Sequence, residues 1–141
     1  MANRYWVSGA SAPWNATAGT KWATTSGGVG GASVPTAADD VFFDANSLFA
    51  CQVSGARVAR SVNCTGFTGT LALLSGSDLS LGDGTAGASN IAAKFVSGMT
   101  LTLSGGTLTF VSTSATQQTV ATGGKTMPIT TFNGAGGSWL L

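Results

Sequence analysis

The chain has 141 residues, a net charge of +1 and only 8% charged residues, against 43% hydrophobic ones. It contains no histidine, no glutamate and 21 glycines, so the usual material of helices is missing and we predict one all-β protein. The small net charge excludes an electrostatic surface for nucleic acid, and no apolar run approaches the ~20 residues that span a bilayer. We therefore expect neither nucleic acid nor membrane as a partner.

The first segment, residues 1–46, is rich in Trp and Gly. Trp6, Trp14 and Trp22 recur every eight residues with turn-forming residues between them. A strand–turn–strand unit of that length would bring successive indole rings to similar heights on neighbouring strands. We predict a small aromatic core, and the alternative is an exposed aromatic platform on which sugar rings stack.

A short buried strand is predicted near the end of this segment, at Val41-Phe42-Phe43. Pro35 favours an extended approach, and aspartate-rich turns lie on both sides. We expect Asp39, Asp40 and Asp44 to cap these turns. The weaker alternative is a calcium site, because three carboxylates with backbone carbonyls could supply the oxygen ligands.

Other polar residues point to no reaction. A hydrolytic triad lacks its histidine base, and Asp78 and Asp83 lie in Gly-containing turns where capping is expected. Cys51 and Cys64 are too few for a disulfide scaffold or a zinc site, so we expect two buried thiols. Two arginines three residues apart, Arg57 and Arg60, are expected at a solvated edge. We predict no cofactor, no metal and no enzymatic activity.

The second segment, residues 47–141, contains a repeat of roughly 30 residues built only from strands and turns. Leu71 and Leu79 are echoed by Leu101 and Leu108. A looser copy follows in residues 129–141, in which Ile129 corresponds to Leu101 and Trp139 to Leu108. Alternation of apolar and polar residues predicts strands with one buried face. We predict β-solenoid coils after the Trp-rich module, and the alternative is a β-sandwich.

The chain ends on an apolar strand with no turn, charge or cap behind it. Trp139, Leu140 and Leu141 are therefore predicted to form an unpaired edge at an open hydrophobic end. We expect either that the chain continues beyond Leu141 or that a neighbouring subunit covers this end.

The first segment resembles a recurring module, carried by residues 4–7 (RYWV), Lys21-Trp22, residues 25–36 (TSGGVGGASVPT) and residues 39–44 (DDVFFD). The module is similar to one of bacteriophage virion proteins, of tail-fibre or capsid-decorating type, and of large repetitive bacterial surface proteins. The matching motifs cover about residues 3–46. The rest of the chain is similar only in its general Gly/Thr/Ser-rich, repetitive character. Surface proteins of this type carry a secretion signal and this sequence begins without one, which favours the phage branch.

The resemblance implies a structural or attachment protein of the virion, made in the host cytoplasm, whose partners are other virion proteins or copies of itself. A bacterial cell-surface location is the alternative. A second candidate is a carbohydrate-binding or adhesin module that uses the tryptophans to hold a host-surface glycan. A third is the N-terminal part of a β-helical polysaccharide depolymerase, whose active residues would lie outside this chain.

Overall fold

The computed structural model describes residues 2–15 and 20–141, so residues 1 and 16–19 of the first segment lie outside the described part. Within that part the chain forms fifteen short strands and one 3-10 turn, Ala88–Asn90, and the all-β prediction is confirmed. The strands are β1 (Asn3–Trp6), β2 (Ala12–Pro13), β3 (Trp22–Ala23), β4 (Asp40–Phe42), β5 (Cys51–Val53), β6 (Ala56–Ala59), β7 (Ser61–Asn63), β8 (Thr70–Leu73), β9 (Asp78–Leu81), β10 (Ile91–Lys94), β11 (Thr100–Leu103), β12 (Thr107–Phe110), β13 (Gln118–Ala121), β14 (Ile129–Phe132) and β15 (Trp139–Leu140).

The strands form three sheets. Sheet A has seven strands in the order β15-β13-β10-β7-β4-β1-β3. Sheet B has the order β11-β8-β5-β2, and sheet C has the order β14-β12-β9-β6. Among the described residues the neighbouring strands run parallel, with the exception of the antiparallel pair β1–β3, so sheet A is mixed.

From β5 to β13 the chain visits the sheets in rotation, B then C then A, for three rounds. Within the three rounds, each strand from β8 onward lies parallel to the strand of the same sheet from the round before. Parallel neighbours need a crossover connection, and here the remaining two strands of the round supply it. After β13 the chain enters sheet C and then sheet A again, without a further strand in sheet B.

The register confirms the first repeat prediction and corrects the second. Leu71 pairs with Leu101 and Leu79 pairs with Leu108, as the sequence echo predicts. The looser third copy aligned Ile129 with Leu101 and Trp139 with Leu108, and both alignments are wrong. Ile129 pairs with Thr107 of sheet C, and Trp139 pairs with Gln118 of sheet A. The cause is the missing sheet B strand in the last round, which shifts the phase of the pattern.

Alternation along the strands builds one core. In β9 and β12 every second residue is buried, which places Leu79 on Leu108 and Leu81 on Phe110. A single hydrophobic cluster takes side chains from all three sheets and from both predicted segments. Strands also pair across the predicted boundary at residue 46, β2 with β5 and β4 with β7. The division into two segments stays a prediction.

The predicted strand at residues 41–43 is confirmed as β4, which spans residues 40–42 and lies inside sheet A between β7 and β1. Val41 and Phe43 are fully buried, whereas Phe42 is half-buried and stacks on Tyr5 with ring centroids 4.8 Å apart. The two sides of the strand thus differ: Val41 and Phe43 belong to the hydrophobic core, whereas the other side carries Phe42 and the buried carboxylate of Asp40.

Phe43 lies at the centre of an aromatic cluster, which we call the N-terminal aromatic cluster. Its ring centroid is 6.2 Å from Trp6, 6.1 Å from Trp14 and 6.0 Å from Trp22. Trp6 and Trp22 face each other across β1 and β3. The predicted placement of successive tryptophans on neighbouring strands is wrong, because Trp14 follows β2 of sheet B whereas Trp6 and Trp22 lie in sheet A. The predicted aromatic core is confirmed. The Trp22 Nε1–H donates to the Trp14 carbonyl at 2.9 Å, and the Trp6 Nε1–H donates to the Phe49 carbonyl at 2.8 Å.

Replacement of Trp22 by Ala should lower the free energy of unfolding by about 3–5 kcal/mol, because it empties a large site in a packed core. Urea denaturation followed by circular dichroism measures the change. Val29→Ala is the matched control, since Val29 is exposed and its loss should change stability by less than about 0.5 kcal/mol. Equal stability of Trp22→Ala and the parent would contradict the buried position of the ring.

Candidate functional site

Three of the five aspartates act as predicted and hold nearby turns. Asp39 accepts hydrogen bonds from the Thr36 N–H at 3.0 Å and the Thr36 hydroxyl at 2.9 Å. Asp44 accepts from the Asn46 N–H at 2.8 Å, and Asp83 accepts from the N–H and hydroxyl of Thr85 at 2.7 and 2.8 Å. These carboxylates satisfy backbone donors that would otherwise lack partners in the turns.

Asp40 does not cap its turn. Its carboxylate forms a buried ion pair with Arg60, in which Arg60 Nε lies 3.0 Å from Asp40 Oδ1 and Arg60 Nη2 contacts Asp40 Oδ2. The hydrogen bonds to Asp40 raise the pKa of Arg60. The prediction of a solvated edge is therefore wrong for Arg60, which is buried, whereas Arg57 is half-buried. Sequence alone gives no sign that a carboxylate twenty residues earlier neutralises this arginine.

The ion pair holds a loop against sheet A. Asp40 Oδ1 also accepts from the Ser61 hydroxyl at 2.6 Å and from the Ala88 N–H at 3.2 Å. Ala88 belongs to residues 82–90, the loop between β9 and β10. Gly87 in that loop lies so close to Ser61 that an added Cβ would come within 2.6 Å of the Ser61 Cβ. Its N–H donates to the Gln118 side-chain oxygen at 3.2 Å, so the loop is fixed from two strands of the same sheet.

The weak calcium candidate at Asp39, Asp40 and Asp44 is not assembled. The three carboxylates bind Thr36, Arg60 and the Asn46 N–H respectively. Within residues 2–15 and 20–141 no group of three or more His, Cys, Asp or Glu side chains converges to hold a metal ion. Adjacent residues of an extended chain direct their side chains apart, and this separates Asp39 from Asp40.

Asp78 is not a turn cap either; it begins β9 and organises hydroxyl groups on sheet C. Its Oδ1 accepts from Thr107 at 2.6 Å and from Thr109 at 2.8 Å, and its Oδ2 accepts from Ser80 at 2.6 Å. Burial has the largest single influence and would raise the pKa of Asp78, but the three hydroxyl donors together outweigh it and lower the pKa. All five carboxylates thus have internal partners.

The tryptophans of the platform alternative are buried. Trp6 and Trp14 are 0% exposed and Trp22 is 1% exposed, so no indole face is open to a sugar ring. Cys51 and Cys64 are free and buried, as expected, and burial raises the pKa of both thiols. Neither thiol has the accessible, ionised character of a reactive cysteine.

The feature that most resembles an interaction site is one end of the sheets, which we call the C-terminal face. It is formed by the edge strands β11, β14 and β15. Ile129 is 73% exposed, Phe132 40%, Leu140 52% and Leu141 82%. Of the predicted edge residues, Leu140 and Leu141 are exposed, but Trp139 is half-buried and its ring packs 5.2 Å from that of Phe132.

Replacement of Asp40 by Asn should lower the free energy of unfolding by about 3–5 kcal/mol, because it leaves the charge of Arg60 buried without a partner. The double variant Asp40→Asn/Arg60→Met should recover part of that loss. Arg57→Met is the control, since Arg57 Nη1 bonds only to the Ala56 carbonyl and no ion pair is lost. Chemical denaturation measures the free energy of unfolding of the parent and the three variants. A larger loss in the double variant than in Asp40→Asn would contradict the assignment of a buried ion pair.

Stability should be nearly constant between about pH 5 and 8, because the chain has no histidine to titrate there. The pKa values of Asp39 and Asp78 are lowered, so these groups stabilise the fold above their unfolded pKa of about 3.9 and lose that effect as the pH falls through the folded value. The melting temperature should therefore fall below about pH 4. Asp78→Asn should reduce this loss of stability in acid. A strong change of the melting temperature between about pH 5.5 and 7.5 would contradict this account, because that range lies above the pKa of both carboxylates.

The described residues contain no surface pocket, and none of their helical structure is long and apolar enough to cross a membrane. Comparison with protein-family models, with curated proteins and with solved structures finds no significant match.

Proposed function

We propose that the three sheets are the faces of a β-solenoid, in which each passage from sheet B through sheet C to sheet A makes one coil. The support is the rotation of β5 to β13 through the sheets and the parallel, in-register pairing of successive rounds. A β-sandwich would pair strands that follow one another in the chain as antiparallel hairpins. In the described part, only β1 and β3 run antiparallel.

We also propose that this chain is a non-enzymatic structural or attachment protein of a bacteriophage particle, either a tail-fibre or a capsid-decorating component. The observation that carries the structural role is the engagement of every carboxylate inside the protein: Asp39, Asp44 and Asp83 with turns, Asp40 with Arg60, and Asp78 with the hydroxyls of sheet C. Acid–base chemistry needs a carboxylate directed at a substrate, and these are directed at their own chain.

The phage assignment rests on the resemblance of residues 3–46. Location in the virion follows from that assignment, with the bacterial cell surface as the alternative. The partners would be other virion proteins or further copies of the chain, which would meet it through exposed apolar positions such as Ile129 and Leu140.

The two alternative functions receive less support. The carbohydrate-binding proposal depended on Trp6, Trp14 and Trp22, whose rings are buried in the N-terminal aromatic cluster. Among the aromatic rings outside that cluster, Tyr5 and Phe42 are half-buried and stacked on each other, and Phe132 packs against Phe110 and Trp139. The depolymerase proposal places its active residues outside this chain, and no described carboxylate pair takes their place.

A particle component should be found in purified virions. Antibodies raised against the folded 141-residue protein should detect it in phage particles banded on a density gradient, and should label those particles in negative-stain electron microscopy. A soluble host enzyme, followed in the same fractions, controls for contamination. Recovery of the protein only in fractions without particles would contradict the proposed role.

A further inference from the structure

At Phe132 the C-terminal face exposes a position whose equivalents in sheet C lie in the core. Leu81, Phe110 and Phe132 occupy one column of sheet C, where each residue pairs with the next. Leu81 and Phe110 are fully buried, and Phe132 stacks on Phe110 with ring centroids 4.8 Å apart. Among the described strands none pairs with β14 on the other side of Phe132, and the ring is 40% exposed. The exposed side of Phe132 is therefore a cross-section of the core. Ile129 and Leu140 add exposed apolar surface to the same face, at positions that pair with Thr107 and Thr119.

The backbone at this face is also available for pairing. Within residues 2–15 and 20–141, β14 bonds only to β12 and β15 bonds only to β13, so each strand has one unpaired edge. Natural proteins usually protect such edges with charged side chains, above all lysine. Residues 126–141 contain no Asp, Lys or Arg, so two copies of this face would meet without repulsion between like-charged side chains.

The opposite end of the sheets differs from this face in its edge strands and its charge. There, β3 runs antiparallel on β1 and covers sheet A, with the N-terminal aromatic cluster buried beneath. Sheet B ends there on β2, in which Pro13 has no N–H to donate, and sheet C ends on β6, which carries Arg57. A copy stacked head to tail would place these features on an apolar, uncharged face.

We propose that the C-terminal face binds the same face of a second copy of this chain, in a dimer with twofold symmetry. The β14 strands of the two copies run antiparallel across the symmetry axis, and the exposed apolar residues of each copy cover those of the other. A twofold contact is self-complementary and closes after two subunits, so it does not grow into a filament. This inference depends on the geometry of the face and not on the role in a phage particle, so each can fail without the other.

Sedimentation equilibrium of the 141-residue chain at micromolar concentration should give a mass of twice 13.9 kDa. Ile129→Lys/Leu140→Lys should raise the dissociation constant at least about tenfold, because it places like charges against each other in the contact. Both residues are exposed, so circular dichroism should show an unchanged fold. The matched control is Val29→Lys/Leu48→Lys, which alters two exposed apolar residues far from the C-terminal face in the chain and should leave the dimer intact.

Cross-linking distinguishes the twofold arrangement from other assemblies. Thr131→Cys places an exposed thiol in the middle of the proposed contact, while the native thiols stay buried. Mild oxidation should link two Thr131→Cys chains, whereas Thr25→Cys, exposed in the first segment, should stay unlinked. A monomer at all micromolar concentrations would overturn the proposal, as would a mass that rises without limit. A dimer unaffected by Ile129→Lys/Leu140→Lys would overturn it as well.

Discussion

The rest of the structure depends on main-chain hydrogen bonding between parallel strands in register. Because each strand of the three rounds lies on the strand of the same sheet from the round before, residues of equivalent position form columns through the protein. A column that faces inward must be apolar at every level, as in Cys51, Leu71 and Leu101. The pairing therefore imposes the repeat on the sequence, and a polar residue inside one column would disturb the levels on both sides.

Length differences between rounds are absorbed where the chain leaves one sheet for the next. The pairing of Cys51 with Leu71 spans 20 residues, and that of Leu71 with Leu101 spans 30, yet both keep the register. Part of the additional length lies in residues 82–90, where Ser89 and Asn90 adopt positive φ angles of 56°. The ion pair of Asp40 and Arg60 lies beneath this loop and binds its backbone at Ala88. A buried charge pair adds little net stability but strongly disfavours arrangements that separate its members, which suits a position where the chain path varies.

Much of this fold could be predicted from the sequence because its signals are local. Alternation gives the strands around Leu79 and Leu108, and the β-branched and aromatic run at 41–43 gives β4. The three tryptophans of the first segment predict the aromatic core, although their spacing does not predict that Trp6 pairs with Trp22. The contacts that could not be predicted are those between residues far apart in the sequence, which become neighbours only when successive rounds of strands pair. Nothing in the neighbourhood of Arg60 indicates that Asp40 neutralises it. Likewise, Asp78 stands in a turn-like Gly-Ser-Asp sequence, although its partners Thr107 and Thr109 lie a full round later.

The order of the strands has a consequence for how the chain folds during synthesis. Every strand from β7 onward lies beside a strand that precedes it in the chain, such as β7 beside β4 and β15 beside β13. No strand in that range needs a later one to obtain its first partner. The aromatic cluster around Phe43 can be completed as soon as Phe67 has emerged from the ribosome, since its ring contacts come from residues up to that point. Later strands then add to a template that is already folded, in step with translation.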